Sequence, residues 1–345
     1  MKIELNSLSL EELQDFVVEL GEKKFRAGQI FNFIHKNKGE DIGEIKTLSK
    51  DFRRVLEERA LINNVEIFRK FESQLDGTKK YLYLLGDGNI IEAVAMEYKH
   101  GTSICISSQV GCRMGCSFCA STKEGLIRNL TAGEMLSEIY MIEKDLGHEI
   151  SNIVLMGSGE PLDNYDNVVK FIRLIAAEEG HNLSLRNITL STCGIVPRIY
   201  DLAEEALPIT LAISLHSAFD KNRQEIMPVA RKYSIAEIIE ACRAYIDRTG
   251  RRITFEYTLI EGVNDSSEDL RELSRILRGI NAHINLIPLN PIKEYGERNP
   301  SNNSVYKFRD GLVKNGLQAT VRREMGRDIS ASCGQLRRSV LEDEK

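Results

Sequence analysis

Apolar and polar positions alternate along this chain with more than one period, and each period predicts a different kind of element. Over the first 60 residues the period is helical: Leu10, Leu13, Phe16, Val17 and Leu20 share one helical face behind the capping-box signature Ser9-x-x-Glu12. Phe31 and Ile34, then Leu48, Phe52, Val55 and Leu56, continue the pattern. A small helical domain is the consequence. Between about Val65 and Tyr98 strand-like runs take over, separated by the turn signals Asp76-Gly77 and Gly86-Asp87-Gly88. No Pro- or Ser-rich linker separates this β-rich stretch from the next segment of chain, so composition does not mark a boundary near residue 95.

From Ser103 onward short apolar runs alternate with amphipathic stretches. Ile104–Val110, Asn152–Met156, Ile188–Ser191, Ile209–Leu215, Ile253–Leu259 and His283–Leu289 read as six strands. The clearest intervening helix starts at a second capping box, Thr131-Ala-Gly-Glu134, and runs through Met135, Ile139 and Ile142. Six strand–helix units predict an α/β fold with a parallel sheet and right-handed crossovers. Periodicity alone does not separate a partial barrel from a doubly wound sheet. In either, reactive groups gather at the C-terminal ends of the strands.

The 345 residues suffice for one large domain and a smaller one, and 42% apolar with 28% charged residues fits an ordinary folded chain rather than a disordered one. Neither a signal-like N-terminus nor an apolar run long enough for a membrane span is present, and a cytoplasmic protein is expected. Seven cysteines in such a chain predict ligand or catalytic thiols rather than disulfides. The formal net charge of −5 excludes a uniformly basic nucleic-acid coat. Between Lys293 and Arg338, however, ten Lys and Arg face five Asp and Glu. That stretch fits either phosphate attraction or a solvated charged face.

The chemistry concentrates in Gly111-Cys-Arg-Met-Gly-Cys-Ser-Phe-Cys119, which holds Cys112, Cys116 and Cys119. Three thiolates so close together are ligands for iron or zinc. No fourth cysteine or histidine lies nearby to close a structural zinc site, whereas three cysteines suit an iron–sulfur cluster with one open iron. Later strands end in small or polar residues: Met156-Gly-Ser-Gly159-Glu160-Pro161, Ser191-Thr-Cys193-Gly194, Ser214-Leu215-His216, and Asn290 after Asn285-Leu-Ile-Pro-Leu. Glycines there would let backbone approach a ligand, and Glu160 could bind an ammonium. Cys242, on a helical face with Ile238, Ile239 and Tyr245, reads as a core residue.

The C-x-x-x-C-x-x-C spacing with Phe118 before the last cysteine resembles the radical S-adenosylmethionine (SAM) superfamily, whose open cluster iron chelates SAM. Four segments narrow the likeness: Gly326-Arg-Asp328-Ile-Ser-Ala-Ser-Cys333-Gly-Gln-Leu336, Ser107-Ser-Gln-Val-Gly-Cys112, Gly159-Glu160-Pro161-Leu-Asp-Asn-Tyr-Asp-Asn167 and Ser191-Thr-Cys-Gly194. Together they resemble the RlmN family of dual-specificity 23S rRNA and tRNA adenine methyltransferases, across almost the whole chain. The resemblance implies a partial (β/α)6 barrel over residues 98–292, a helical RNA-binding accessory domain over 1–60, a β-hairpin extension within a connector over 61–97, and a C-terminal extension over 293–345.

The same resemblance implies one [4Fe–4S] cluster on Cys112, Cys116 and Cys119, and two SAM molecules per turnover. Gly159, Glu160, Ser191, Ser214, Leu215, His216 and Asn290 would bind SAM. Carbon 2 of adenine is electron-poor and cannot attack the methyl of SAM as an amine would, so a radical route is expected. By resemblance Cys333 accepts the methyl group, Cys105 resolves the resulting covalent adduct through a disulfide, and Glu92 takes the carbon-2 proton. The implied substrate is adenosine 2503 of 23S rRNA, met before ribosome assembly is complete, with tRNA as a further substrate and flavodoxin as the type of electron donor. No membrane partner is implied. Two rivals stand beside this reading: a Cfr-like enzyme methylating carbon 8 of the same adenosine, and a zinc-stabilised RNA-binding protein without catalysis. Arg322 and Arg323 are expected to contact RNA, and the loop carrying Cys333 is expected to move.

Overall fold

A computed structural model describes residues 2–290 and 300–335. Lys293, Arg298, Arg337 and Arg338, all part of the basic stretch, lie outside them. At the N-terminus β1 (Ile3–Glu4) pairs in parallel with β2 (Ala60–Leu61), bracketing α1 (Leu10–Glu19), α2 (Phe25–Phe31) and α3 (Lys50–Arg59). The capping box of α1 forms as expected: Glu12 N donates to Ser9 Oγ at 3.1 Å, and Ser9 N donates to the Glu12 carboxylate at 2.7 Å. Leu13, Phe16, Val17, Phe31, Ile34, Phe52 and Leu56 turn inward and join one apolar cluster that reaches as far as Leu312. These helices are therefore seated on the rest of the molecule rather than tethered to it.

Three antiparallel strands come next, β3 (Glu66–Glu72), β4 (Lys79–Leu84) and β5 (Ile90–Tyr98), and β5 pairs antiparallel with β6 (Gly101–Cys105). A separate two-stranded ribbon, β7 (Gln109–Gly111) with β8 (Leu126–Asn129), brackets the cysteine triplet. The chain then alternates through α4 (Ala132–Leu146), β9 (Asn152–Leu155), α5 (Tyr165–Ile175), β10 (Ile188–Thr192), α6 (Val196–Glu204), β11 (Thr210–Ser214), α7 (Asp220–Ile226), α8 (Ile235–Thr249), β12 (Ile253–Leu259), α9 (Ser267–Ile276), β13 (Ala282–Pro288), α10 (Asn302–Lys314) and β14 (Ala319–Val321). All ten strands from β3 to β14 outside the ribbon form one sheet, in the order β14-β13-β12-β11-β10-β9-β6-β5-β4-β3.

That order decides between the two folds that periodicity allows. From β6 to β14 the strands are parallel and succeed one another in sequence order without reversing. A doubly wound sheet would reverse at a switch point. The arrangement is a barrel left unclosed between β3 and β14, an α/β partial barrel with an N-terminal helical unit.

Two expectations change. The single strand read over Ile104–Val110 is two elements, because Ser107 and Ser108 leave the ladder to bond the 157–159 loop. Ser158 N donates to Ser107 Oγ at 3.0 Å and Ser108 N to Ser158 O at 2.8 Å, a hydroxyl and a backbone amide both paired with a residue distant in sequence. The triplet therefore comes after β7, not after the barrel strand itself. The sheet also gains a seventh parallel strand, β14, only three residues long, within the segment expected to be a C-terminal extension.

Candidate active site: two pockets sharing a wall

The strand ends named from the sequence converge on one rim, where they line a pocket of about 940 Å³ counting its open mouth. Cys112, Cys116, Cys119, Gly159, Glu160, Ser191, Ser214, His216, Asn290 and Cys333 all border it. The triplet loop is folded by its own backbone. Cys119 N donates to Cys116 O at 3.2 Å, and Thr122 Oγ1 donates to the carbonyls of Cys116 and Cys119 at 3.0 and 2.9 Å. Burial pushes all three thiols up, that of Cys112 to about 12. Among the described residues, no three Cys, His, Asp or Glu side chains are gathered closely enough to hold a metal ion. Three soft donors on one loop facing one pocket suit an iron–sulfur cluster, whose binding would release the thiol protons.

The Gly157–Gly159 segment is pressed against residues 106–109. A Cβ on Gly159 would lie 2.7 Å from Gln109 Cβ and Ser108 Oγ at φ +109°, so no other residue fits there without displacement. Glu160 is buried, which raises its carboxyl above the usual range despite bonds from Cys193 N at 2.7 Å and Leu162 N at 3.0 Å. Those two donors fix the carboxylate's orientation. His216 adopts a left-handed backbone, φ +54°. Its Nδ1 accepts from Thr258 N at 2.9 Å, which puts the ring proton on Nε2, and burial lowers the imidazole to about 3. Ser191 and Ser214 touch across β10 and β11 at 3.5 Å. Leu215 differs from expectation: its side chain is fully buried and does not border the pocket, and only its backbone is engaged, bonding Glu256 O and Arg223 Nε.

A second pocket, of about 540 Å³, lies behind the first. Val94, Met96 and Cys105 line one side, Met325, Ala331 and Cys333 the other. Met156, Ile287, Asn290, Arg322 and Cys333 border both pockets and form their common wall. Asn290 Nδ2 donates to Cys333 O at 3.0 Å. Burial raises the Cys105 thiol to about 12. Glu92 borders neither pocket. It is 1% exposed, two positions before Val94 on the same face of β5, and ion-paired to Lys80 at 2.9 Å.

Arg322 also departs from expectation. Instead of facing solvent for RNA it turns into the common wall, with Nη1 3.2 Å from Met156 Sδ and 3.9 Å from Glu256 Oε2. Arg323 stays exposed. Two supporting residues are not among the sequence candidates: Gln109, although it lies within the quoted Ser107–Cys112 segment, and Arg223, which no motif marks. Gln109 Oε1 accepts from Glu160 N, and the fully buried Arg223 bonds the carbonyls of Cys193, Ser214 and Leu215. Cys193 borders the first pocket, and Cys242 is buried in α8 as expected.

Comparison with known proteins gives this site its context. The Radical SAM superfamily matches residues 106–274, a span that contains the triplet, so the chain is a radical SAM protein, and the superfamily implies a [4Fe–4S] cluster with SAM. The ribosomal RNA large subunit methyltransferase N-terminal domain matches residues 3–62. Proteins described as probable dual-specificity RNA methyltransferase RlmN are 54% identical in Alkaliphilus oremlandii, over 99% of both chains, and 55% identical in Clostridium perfringens, over 96% of both. A crystal structure of a radical SAM methyltransferase from Sphaerobacter thermophilus superposes with a TM-score of 0.93 at 43% identity, covering 97% of this chain and 99% of that one. The chain belongs to the RlmN family. Among the described residues no helix is long and apolar enough to cross a membrane.

Proposed function

We propose that this chain is a radical SAM RNA methyltransferase acting on carbon 2 of one adenosine in 23S rRNA, with tRNA as a second substrate. The observation that carries this reading is the common wall. Cys333 borders both the pocket of the cysteine triplet and the pocket of Cys105, as a thiol must if it is loaded on one side and resolved on the other.

In this reading Cys112, Cys116 and Cys119 hold one [4Fe–4S] cluster. Glu160 receives the ammonium of SAM, a cation that would favour its ionised form against burial. Gly159 admits backbone close to the ligand, while Ser191, Ser214, His216, Asn290 and the backbone of Leu215 complete the binding set. Cluster and SAM together supply a methyl group and a hydrogen-abstracting radical, two SAM molecules being used per turnover. Cys333 gives up its thiol proton on accepting the methyl group, and afterwards links the chain covalently to the adenine. Glu92 accepts the carbon-2 proton. Cys105, as its thiolate, then attacks the Cys333 sulfur: the S–S bond forms, the S–C bond breaks with its electron pair going to the bridging carbon, and that carbon takes up a proton to complete the methyl group as the base leaves. The adenine must be unstacked to enter, which fits RNA met before ribosome assembly is complete. A cytoplasmic setting with a flavodoxin-type electron donor belongs to the same reading.

The test is anaerobic reconstitution with iron and sulfide, then mass spectrometry after incubation with SAM, reductant and an rRNA fragment. One methyl increment on the Cys333 peptide together with 2-methyladenosine in the RNA is expected. A cluster without that increment would overturn the carrier role, and 8-methyladenosine alone would move the chain to the Cfr-like chemistry.

A further inference from the structure

Lys80 and Lys79 are adjacent on β4, yet Lys80 is 6% exposed. In the β4–β5 ladder Lys80 lies opposite Val94 and Leu82 lies opposite Glu92, so Lys80 and Glu92 are diagonal neighbours on one face. Lys80 Nζ is 2.9 Å from Glu92 Oε1, and it also donates to Ser330 O at 3.3 Å. Ser330 has a left-handed backbone, φ +51°, and precedes Cys333 by three residues. One ammonium therefore touches both the carboxylate assigned as base and the loop that carries the methyl-accepting thiol.

Stability alone is a poor reason to keep such a pair, because burying two charges costs about what their attraction returns, and apolar residues of similar volume often do as well. The pair has two other consequences. A buried carboxylate can accept a proton only while it is ionised, and an ammonium 2.9 Å away favours that form. The second bond, to Ser330 O, ties the base to the loop through a single side chain. The loop has further ties that do not involve Glu92. Ser73 Oγ and Gln74 N both donate to the Asp328 carboxylate, at 2.6 and 2.9 Å, and Gly326 N donates to Asp76 Oδ2 at 2.9 Å.

We propose that Lys80 is a positioning residue for proton removal: it keeps Glu92 ionised and sets it in register with the Cys333 loop. This rests on the assignment of Glu92 as the base. In the step it serves, the carbon-2 C–H bond breaks, the proton passes to a Glu92 oxygen, and the bonding pair stays with the adenine ring.

The experiment uses the reconstituted holoenzyme with SAM, reductant and an rRNA hairpin fragment, and reads two steps separately: methyl on the Cys333 peptide, and methyladenosine in the RNA. Lys80→Met is expected to load Cys333 normally but to lower RNA methylation about a hundredfold, the contribution of a general base. Lys80→Gln repeats the measurement should the methionine variant fold poorly, and Lys80→Arg, which keeps the charge, should restore much of the activity. Asp328→Asn loosens the loop without touching Glu92 and calibrates an effect of loop position alone. If the Lys80 variants slow both steps in the proportion seen with Asp328→Asn, or form product at the wild-type rate, the proposal is overturned. If Glu92→Gln itself methylates RNA at the wild-type rate, the underlying base assignment fails instead.

Discussion

The two pockets are built by different means, although they share Cys333, Asn290 and Arg322. The first hangs on the ends of parallel strands: Glu160 comes after β9, Ser191 lies at the end of β10, and Ser214 closes β11. Its side chains are positioned by a ladder that repeats the same geometry strand after strand. The second is assembled from the antiparallel extension on one side and a loop near the C-terminus on the other, held together by side-chain bonds such as that of Lys80 to Ser330. One pocket inherits its shape from the sheet, and the other is fastened on afterwards. Disturbing the first should therefore cost stability as well as chemistry, while disturbing the second should cost chemistry first.

The largest effect that separates them is expected from paired cysteine variants. Cys116→Ala should lose the cluster and with it both thiol loading and RNA methylation, whereas Cys333→Ala should lose both methylations but keep full iron content. Iron and sulfide analysis beside nucleoside mass spectrometry reads both, and loss of iron in Cys333→Ala would erase the distinction. Next, Gly159→Ala places a methyl group 2.7 Å from Gln109 Cβ and Ser108 Oγ in a left-handed backbone. A loss of roughly 3 kcal/mol is expected in denaturant unfolding.

A pH effect also belongs to the first pocket. The His216 imidazole is lowered from 6.5 to about 3 in the folded chain. Below pH 6.5 the unfolded chain binds a proton that the folded chain refuses, so this group's stabilisation, fully present above 6.5, falls as pH drops toward about 3. The slope approaches about 1.4 kcal/mol per pH unit. His216→Gln should flatten the wild-type decline between about pH 6 and pH 5 by up to that amount, and equal slopes would contradict the buried neutral imidazole.

Smaller effects are expected on the second pocket's side. Arg323→Gln should weaken RNA binding and lower its salt dependence by about one unit of slope. Arg322→Gln, facing inward, should leave that slope unchanged. Ser73→Ala removes one bond to Asp328, a loss of about 1 kcal/mol. Hydrogen exchange over residues 326–331 should then quicken about fivefold while β9 to β12 keep their protection. In the unaltered protein the same loop is expected to exchange faster than those strands, and equal protection would count against its movement.

Legibility in the sequence divides along the same line. Alternating apolar runs made the strands of the first pocket legible, and strand ends point to one rim in any parallel sheet, so Glu160, Ser191, Ser214 and His216 could be placed together from the sequence alone. The break after Cys105 was not legible, because Ile104–Val110 is apolar enough to pass for one strand. It is the Ser107 hydroxyl and the Ser108 amide meeting a loop some 50 residues away that divide it. β14 escaped notice for its brevity. Cys105, Glu92 and Cys333 came only from likeness to a family, since nothing in local pattern links a β-extension to a C-terminal loop. Lys80 shows the limit most clearly: nothing in two successive lysines tells which of them is buried against a carboxylate.

The ties between the 73–78 turn and the 326–330 loop span about 250 residues of sequence. A ribosome making this chain delivers Ser73, Asp76 and Lys80 some 250 residues ahead of their partners. Most of the strands, the triplet and all but one wall of the first pocket precede Cys333 and can assemble before it, because contacts of low sequence separation form first and the long closure waits. The wall that the two pockets share is therefore completed only when the segment carrying Cys333 closes back onto a turn made long before it.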